Sequence, residues 1–590
     1  MTTHRKKSGV GWRKTHALSP ARSRRITVAA AALLAQFAVA PQASAFQLAT
    51  DNPDLKVSWD NTVKYSSAWR LKDPDALLTA NHNLDDGDAN FRKGLISNRL
   101  DLLSEFDLSY RNIGFRLSGA AWHDTEYNRG NDHPNDGAAN QLSTPYNQFT
   151  DTTRRLHGSK SELLDAFVSA KFDAGESPAT VRLGKHSLVW GESLFFGANA
   201  IAGGMMPVDV VKLVSVPNTQ FKEAIRPVQQ LSGQIQLNPN ASLAGYYQLR
   251  WQASRLPAVG SYFSQTDTNV DGAEQLLMGL PTPPFLQTNA PRVDDQRAKN
   301  SGQGGLQLRF RDTETDYGLY LIRFHSKGFQ QVTNIGLMPV IYVPGAGCVV
   351  PHSVATGASS CGLPGLPVSY RIVHHEGITA FGGSVSRTFG DVNLAAEASL
   401  RHNQDLASSL AVDTSALGGT ATNNSSDPAY AVGNTAHFNL SALWTLQPTA
   451  LFREASFVGE IAWNRVLHVT KNGAALDPNA TRDATALRLI LEPMYRQVFP
   501  GLDLSVPIGL GYSPKGSRSM AVGPGTFPAD GGGDLSIGIN GTYLDAWRFS
   551  LSYTHYYGEE QAFLNAGNNF TYKQSLKDRD FIAFSLRRTF

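Results

Sequence analysis

Apolar and polar residues alternate one by one in many stretches of this chain. In the first of these stretches, Val57, Trp59 and Val63 share one parity, whereas Ser58 and Asp60 take the other. Because successive side chains of a β-strand point to opposite faces, this period of two predicts strands with one apolar and one polar face. Eighteen segments follow the pattern: 57–71, 97–110, 113–123, 163–173, 179–190, 230–238, 242–252, 304–312, 316–326, 375–388, 391–402, 435–447, 453–466, 483–496, 501–512, 534–544, 546–557 and 578–590.

The connections between these segments alternate in length. Eight short turns, such as NPNA and DTETD, alternate with nine loops of about 15 to 50 residues, so both chain ends fall on the short-turn side. A secreted sandwich or propeller also alternates, but this regular change of loop length is typical of outer-membrane barrels. The sequence therefore predicts an all-β fold. The predicted architecture is a transmembrane antiparallel up-and-down β-barrel of about 18 strands (16 to 20), with long extracellular loops and short periplasmic turns.

The alternation continues to the last residue of the chain. Ile582, Phe584 and Leu586 share a parity with Phe590, and only Arg588 interrupts this apolar face. In lipid, an open sheet edge leaves backbone groups without hydrogen bonds, so a barrel must close. We therefore expect the last strand to pair with the first one, and Phe590 to serve as a C-terminal assembly signal.

The first 45 residues have the composition of a secretory signal peptide. A tract rich in arginine and lysine precedes an apolar run from Ile26 to Val39, and Ala43-Ser44-Ala45 then forms a cleavage site. We expect cleavage after Ala45, which leaves residues 46–590 as a single barrel domain. The predicted location is the outer membrane of a Gram-negative bacterium.

Removal of this peptide changes the net charge of the chain. The full chain has 53 basic and 50 acidic residues, and 8 of the basic ones lie in the signal peptide, so the mature chain has 45 against 50, a net charge of −5. This balance argues against nucleic acid as a partner. The expected partners are outer-membrane lipid, lipopolysaccharide and a small-molecule solute, with a periplasmic protein as a further candidate. No cofactor, metal site or catalytic residue is predicted.

The polar faces of the strands carry charges of both signs and would line the lumen. A barrel of this size encloses water unless something fills it, and residues 191–229, which break the alternation, either fold into the lumen or form an external loop. The charges then line an unselective pore or a constriction that orients a solute. The candidate lumen residues are Arg99, Asp101, Glu105, Arg182, Glu192, Asp209, Lys212, Lys222, Glu223, Arg226, Arg250, Glu460, Arg488, Glu492 and Arg496.

Two stretches resemble a known family. VRLGKHSLVWGESLFFGANAIAGGMMPVDVVKLVSVPNTQFKEAIRPV and FQLATDNPDLKVSWDNTVKYSSAWRLKD are similar to an uncharacterised family of Gram-negative outer-membrane proteins, known as a domain of unknown function. The resemblance covers the whole predicted mature chain. It implies an outer-membrane barrel, sometimes discussed with the handling or export of hydrophobic compounds, and brings no catalytic residues.

These observations favour a porin-like channel for small, hydrophobic or amphipathic solutes. The alternatives are a sealed barrel that acts as a receptor or as a docking site for a periplasmic protein, and a barrel enzyme. Cys348 and Cys361 lie 13 residues apart in one long loop. In an oxidising compartment this spacing predicts a disulfide that closes the loop, with a metal site or a reactive thiol as the alternative.

Overall fold

The computed structural model describes residues 46–48, 50–134, 137–219, 221–278, 289–343, 347–349 and 360–590. The predicted signal peptide and its cleavage site lie outside these residues and stay predictions. No helix within the described ranges is long and apolar enough to cross a membrane.

Antiparallel β-structure dominates the fold. The strands are β1 Phe46–Leu48, β2 Leu55–Arg70, β3 Gly94–Tyr110, β4 Ile113–Asp124, β5 Ser159–Ala174, β6 Ser177–His186, β7 Val228–Asn238, β8 Ala241–Gln248, β9 Gln275–Leu277, β10 Asn289–Pro291, β11 Gln303–Asp312, β12 Thr315–Phe324, β13 Gln330–Val343, β14 Gly347–Val349, β15 Ser360–Val373, β16 Ile378–Phe389, β17 Val392–Asp405, β18 Val412–Asp413, β19 Val432–Leu446, β20 Glu454–Lys471, β21 Asp483–Phe499, β22 Leu502–Ser505, β23 Ile508–Tyr512, β24 Gly533–Tyr543, β25 Trp547–Tyr557 and β26 Phe581–Thr589.

Only short helices interrupt the connections. The α-helices are Asp86–Ala89, Asp151–Thr153, Ala202–Met205, Val210–Ser215 and Phe221–Ala224; a π-turn spans Arg154–Gly158, and 3₁₀ turns span Ser415–Leu417 and Gly473–Ala475.

Eighteen strands close into a ring, as the sequence predicts. From β2 the ring runs through β3 to β8, then β11, β12, β16, β17, β19, β20 and β21 to β26, in which β22 and β23 are two halves of one strand interrupted at Val506 and Pro507. The short strand β1 pairs with the N-terminal part of β2. Each predicted segment overlaps one of the eighteen barrel strands.

The C-terminal strand closes the barrel. β26 pairs with β2 over Arg70↔Phe581 to Thr62↔Thr589. Beyond the strand, Phe590 and Asn61 exchange two backbone hydrogen bonds, of 2.7 and 2.8 Å. Phe590 therefore lies at the seam, and the predicted pairing of the last strand with the first is confirmed.

The predicted alternation of apolar and polar residues along each strand corresponds to an alternation of side-chain exposure in the structure. On β3, Leu100 and Leu102 are 47% and 42% exposed on the outside, whereas the inward-pointing Arg99 and Leu103 are 4% and 8% exposed. Apolar side chains on the outer face of a closed barrel match the requirement of a lipid environment.

The largest part of the fold without a counterpart in the predicted segments is a second sheet. Between β12 and β16, β13 and β15 form an antiparallel hairpin that β14 and β18 extend into a separate four-stranded sheet. This sheet is built from two long loops, between β12 and β16 and between β17 and β19, and not from the barrel wall.

Candidate functional site

The connection between β6 and β7, residues 187–227, runs into the barrel instead of returning directly to the wall. We call these residues the β6–β7 segment. Gly203, Gly204 and Pro207 limit it to short helices, and Asp209 Oδ1 caps the helix Val210–Ser215 by accepting the N–H of Lys212 at 3.2 Å.

One end of the segment is held by Glu460 on β20. Glu460 Oε2 accepts the backbone N–H groups of Leu194 and Phe196, both at 3.1 Å, and also that of Phe195. Its other oxygen accepts the hydroxyl of Ser193 at 2.7 Å. Hydrogen bonds to an ionised acceptor are roughly twice as strong as neutral ones, so this inward-facing carboxylate anchors a whole turn of the segment.

A second anchor comes from β17. Glu397 accepts the backbone N–H groups of Glu192 at 2.8 Å and Ile201 at 2.6 Å. Gly191 has a φ of 98°, and a Cβ at this position would collide with the Glu397 carboxylate. Only glycine therefore fits at position 191, where the segment approaches this wall. Four residues along β17, Arg401 Nη2 donates to the carbonyl of Ala200 at 2.8 Å.

Asn199 joins the segment to two neighbouring strands. Its Nδ2 donates to Asn439 Oδ1 of β19 at 3.0 Å, and its Oδ1 accepts from Asn464 Nδ2 of β20 at 2.9 Å. His437 Nδ1 lies 2.9 Å from the same Oδ1. Since all four side chains are buried, this contact is closed to water.

Apolar packing fixes the middle of the segment. Ile201 and Met205, both 1% exposed, form a cluster with the inward-facing Tyr246 of β8 and with Tyr320 and Ile322 of β12. Burial of several large apolar side chains contributes about 1.5–3 kcal/mol each. The segment is thus part of the packed interior.

The far end of the segment reaches the opposite wall. Arg255 bridges Asp209 at 2.6 Å and Glu162 of β5 at 2.7 Å, and Lys212 Nζ lies 3.4 Å from the same Glu162. In the 18-strand ring, β5 and β20 are nine strands apart in either direction. The β6–β7 segment therefore contacts diametrically opposite sides of the barrel.

A cavity of ≈ 530 Å³ remains beside the wall formed by β3 to β6. Arg116 of β4 sits among its acidic residues, with its guanidinium 2.5 Å from Glu105, 2.7 Å from Asp107 and 3.6 Å from Asp165. The lining also contains Arg182 and Glu223 and the apolar Leu103, Phe167 and Ile225. Charges of both signs thus face apolar surface in one space.

The family model described as protein of unknown function (DUF1302) matches residues 26–590. The chain belongs to this family. This confirms the resemblance identified from the two stretches of sequence.

No curated protein sequence matches this DUF1302 chain. Among solved structures, it is similar to Acinetobacter baumannii OccAB4 (9% identity, TM-score 0.40, covering 92% of this chain and 100% of that chain). It is also similar to Acinetobacter baumannii OccAB3 (9%, TM-score 0.41, 90% and 99%) and to Pseudomonas aeruginosa OpdK with vanillate (10%, TM-score 0.37, 90% and 98%). These identities and TM-scores are too low to support an argument. The barrel architecture of this DUF1302 chain is established by its own strand pairing.

Within the described part of the chain, seven of the fifteen candidates chosen from sequence form ion pairs inside the barrel: Arg99, Asp101, Glu105, Asp209, Lys212, Glu223 and Arg488. Arg99 lies 2.7 Å from Asp101 and 4.9 Å over the ring of Trp122. Glu223 Oε2 is 4.0 Å from Lys64 Nζ. Glu105, Arg182, Asp209, Lys212 and Glu460 are placed as described above.

On the wall beyond β20, the candidate residues contact side chains of other wall strands and not the β6–β7 segment. Arg488 lies 3.0 Å from Asp534, and Glu492 accepts the hydroxyl of Ser505 at 2.5 Å. Arg496 is exposed at the short-turn end, 3.0 Å from Glu454. These ion pairs and hydrogen bonds lie within the wall.

Four further candidates lie outside the strands. Glu192 contacts the wall through its backbone N–H, which donates to Glu397, and burial raises the pKa of the Glu192 carboxyl. Arg226 Nη1 donates to the carbonyl of Ala253 at 2.5 Å, and burial lowers its pKa to about 10. Arg250 is exposed where β8 has ended. The side chain of Lys222 lies outside the described part of the chain.

Sequence reasoning missed several of the residues that hold the segment. Glu397 and Arg401 share the inward parity of β17, so the period-two pattern carried a signal for both. Glu162 lies one residue before the start of the predicted strand 163–173, and Arg255 lies in a loop, so neither had such a signal.

The two cysteines lie on strands that flank β13. Cys348 of β14 pairs with Tyr342, and Cys361 of β15 pairs with Val340 on the other side of the same strand. Their side chains lie outside the described part of the structure. The disulfide therefore stays a prediction.

Proposed function

We propose that this protein is an outer-membrane, porin-like channel that passes small, hydrophobic or amphipathic solutes by diffusion. The observation that carries the proposal is the β6–β7 segment, which joins β5 to β20 across the interior of a closed barrel and leaves a charged cavity on one side. In this interpretation the segment narrows the lumen, and the cavity is part of the remaining passage.

The outer surface supports a location in the membrane. Apolar side chains with 40 to 57% exposure recur on neighbouring strands, including Leu231, Leu306, Leu319 and Leu400. A soluble protein would expose this much contiguous apolar surface to water at a large cost. Contact with lipid and with lipopolysaccharide at the loop side removes that cost.

The cavity lining supports the class of solute. Arg116 and its three carboxylates offer charge and hydrogen bonds on one side, while Leu103 and Phe167 offer apolar contact. Opposed charges at a constriction orient a dipolar solute without binding it tightly. A small molecule with one polar and one apolar end matches such a lining better than a bare ion.

The same anchoring also favours a second candidate function. Because the β6–β7 segment packs against Tyr246 and Tyr320 as well as against both opposite walls, it could seal the barrel, which would then act as a receptor or as a docking site for a periplasmic protein. A catalytic role has the weakest support, and we expect no enzymatic activity.

Permeation measurements separate these functions. The refolded mature protein is inserted in planar bilayers for single-channel recording and in liposomes for swelling assays with a series of sugars and aromatic acids of increasing size. The channel proposal expects steady conductance steps and a sharp size limit. A barrel that is folded by circular dichroism and heat-modifiable migration, but silent in both assays, supports the sealed barrel instead.

A further inference from the structure

Three buried side chains from two external loops meet far from the β6–β7 segment. Asp85 and Asp86 lie between β2 and β3, at the start of the helix Asp86–Ala89, and His133 lies between β4 and β5. Each offers one ligand atom, and these atoms lie within 4.8 Å of one another. The three residues are only 1%, 4% and 5% exposed.

A third external loop contributes another carboxylate. Asp267, between β8 and β9, is completely buried, and its Oδ2 accepts the backbone N–H of Asp86 at 3.0 Å. Asn140 Nδ2 donates to Asp86 Oδ2 at 2.8 Å, which fixes the orientation of that side chain. Three acidic residues and one imidazole thus share a buried site at the loop side of the barrel.

Within the described ranges, the ion-pair partners of the carboxylates in this cluster are histidines, not lysine or arginine. Among the described residues, no lysine or arginine forms an ion pair with Asp85, Asp86 or Asp267; the ion pairs that involve Asp85 and Asp86 are with His82 and His133. An uncompensated buried carboxylate is strongly unfavourable.

Nearby guanidinium groups serve other partners. Arg70 binds Asp88 and Asp578, at 2.5 and 2.7 Å, and Arg579 donates to the carbonyls of Tyr262 and Ser264. Arg579 therefore acts on Asp267 only through space, and neither arginine forms an ion pair with the three carboxylates within the described residues.

Unsatisfied oxygen atoms give an independent indication of a ligand. Asp85 Oδ1 and Asp267 Oδ1 are buried and accept no hydrogen bond within the described part of the chain. Such atoms are rare in folded proteins and usually mark a missing ion or water.

The spacing of Asp86 and His133 fits a shared metal. Asp86 Oδ1 lies 3.5 Å from His133 Nε2, which is longer than a hydrogen bond. It is close to the ~3.4 Å between two ligands of a tetrahedral metal with bonds of about 2.1 Å. We infer that Asp85, Asp86 and His133, with Asp267 beside them, form a site for a divalent transition-metal cation such as Zn²⁺ or Mn²⁺.

The donor set determines this choice of cation. Imidazole nitrogen suits Zn²⁺ and its neighbours in the first transition row, whereas Ca²⁺ and Mg²⁺ select sites made of oxygen atoms alone. A bound cation neutralises the carboxylates and joins the β2–β3 loop to the β4–β5 loop. The sequence carried no signal for this site, because its ligands are separated by tens of residues and lie on irregular loops.

Metal titration tests the inference on the full mature chain without an affinity tag. After treatment with EDTA and dialysis, calorimetric titration with ZnCl₂ and electron paramagnetic resonance with MnCl₂ should show one bound equivalent. The double variant Asp85→Asn/Asp86→Asn and the single variant His133→Gln should each bind at least tenfold more weakly. The matched control Asp294→Asn, an exposed loop position, should bind like the native chain.

Several results would overturn the inference. These are the absence of a stoichiometric Zn²⁺ or Mn²⁺ site in the native chain, binding that is unchanged in the double variant, and a Ca²⁺ site that survives His133→Gln. X-ray absorption of the native zinc complex needs no variant, so it remains decisive if a variant misfolds. It should show a shell of oxygen and nitrogen with one imidazole, and a shell of oxygen alone would contradict the assignment.

Discussion

Glu460 Oε2 accepts the backbone N–H of Phe196 at 3.1 Å, although 264 residues separate the two in sequence. The contact joins strand β20 to the β6–β7 segment inside the barrel. Together with the equivalent role of Glu397 on β17, it makes two buried carboxylates responsible for the position of that segment.

Neutralising Glu460 should loosen the segment. In Glu460→Gln the acceptor loses its charge, and hydrogen bonds to charged groups contribute about 1.5–3 kcal/mol, so the released state should become about 10- to 100-fold more populated. We expect frequent transitions to a larger conductance in single-channel records. Glu454→Gln, on the same strand but exposed and paired with Arg496, is the matched control; equally frequent transitions in both variants would refute the anchoring role.

Arg116 should control the preference of the channel for ions of one sign. It lies among Glu105, Asp107 and Asp165, so Arg116→Gln leaves three carboxylates without their shared cation. The permeability ratio of potassium to chloride should rise several-fold, measured as the reversal potential in a salt gradient.

A second arginine provides the control for this selectivity. Arg111 pairs with Asp54 at the short-turn end, and its side chain is 66% exposed. Arg111→Gln should therefore leave the reversal potential unchanged. If Arg116→Gln also leaves it unchanged, ions do not pass the cavity beside β3 to β6.

Lys327 should make the loop side of the barrel sensitive to pH. Burial lowers the pKa of its ammonium group to about 7 from 10.5, and it is held by Gln303 Oε1 at 2.7 Å. The unfolded state therefore binds more protons between these two values, and local stability should rise with pH from about 7 to 10.5, by at most ~1.4 kcal/mol per pH unit.

Hydrogen exchange at Ser254 measures this dependence, because its N–H donates to the carbonyl of Lys327 at 2.9 Å. The protection factor, corrected for intrinsic exchange, should increase with pH in the native chain. In Lys327→Met, which cannot ionise, it should be flat. The same slope in both proteins would assign the effect to another group.

Arg588 should stabilise the barrel through Trp547. Its guanidinium lies 5.0 Å from the centre of that ring on the neighbouring strand, which accounts for an arginine on an otherwise apolar face. A double-mutant cycle with Arg588→Leu and Trp547→Leu, measured by denaturant unfolding in lipid vesicles, should give a coupling of about 0.5–2 kcal/mol. Phe549→Leu, on the same outer face, should show no coupling to Arg588.

The barrel could be predicted from sequence because lipid imposes a strict rule on each strand. Outward positions such as Leu100 must be apolar while inward positions such as Arg99 need not be, so the period of two survives in all eighteen strands. The β13–β15 hairpin escaped notice because its sheet is built from loops and obeys no such rule. Closure was predictable for the same reason, since lipid tolerates no open edge.

The contacts inside the barrel could be predicted only in part. A charged residue at an inward position, such as Glu460, can be recognised from the alternation. The pattern does not predict which backbone groups will bind to it. The partners of Glu397 and Glu460 lie in an irregular segment about 200 or more residues away. Such pairings follow from the tertiary path of the segment, which no local pattern encodes.

The most direct test of the channel proposal is the single-channel conductance of the refolded mature protein beside a variant that lacks residues 194–216. Circular dichroism and heat-modifiable migration establish that both barrels are folded. We predict steady steps from the intact protein and clearly larger steps from the variant, because the deletion removes the part of the segment held by Glu460 and Glu397. Steps of equal size in both proteins, or silence of the intact protein, would contradict a lumen narrowed by the β6–β7 segment.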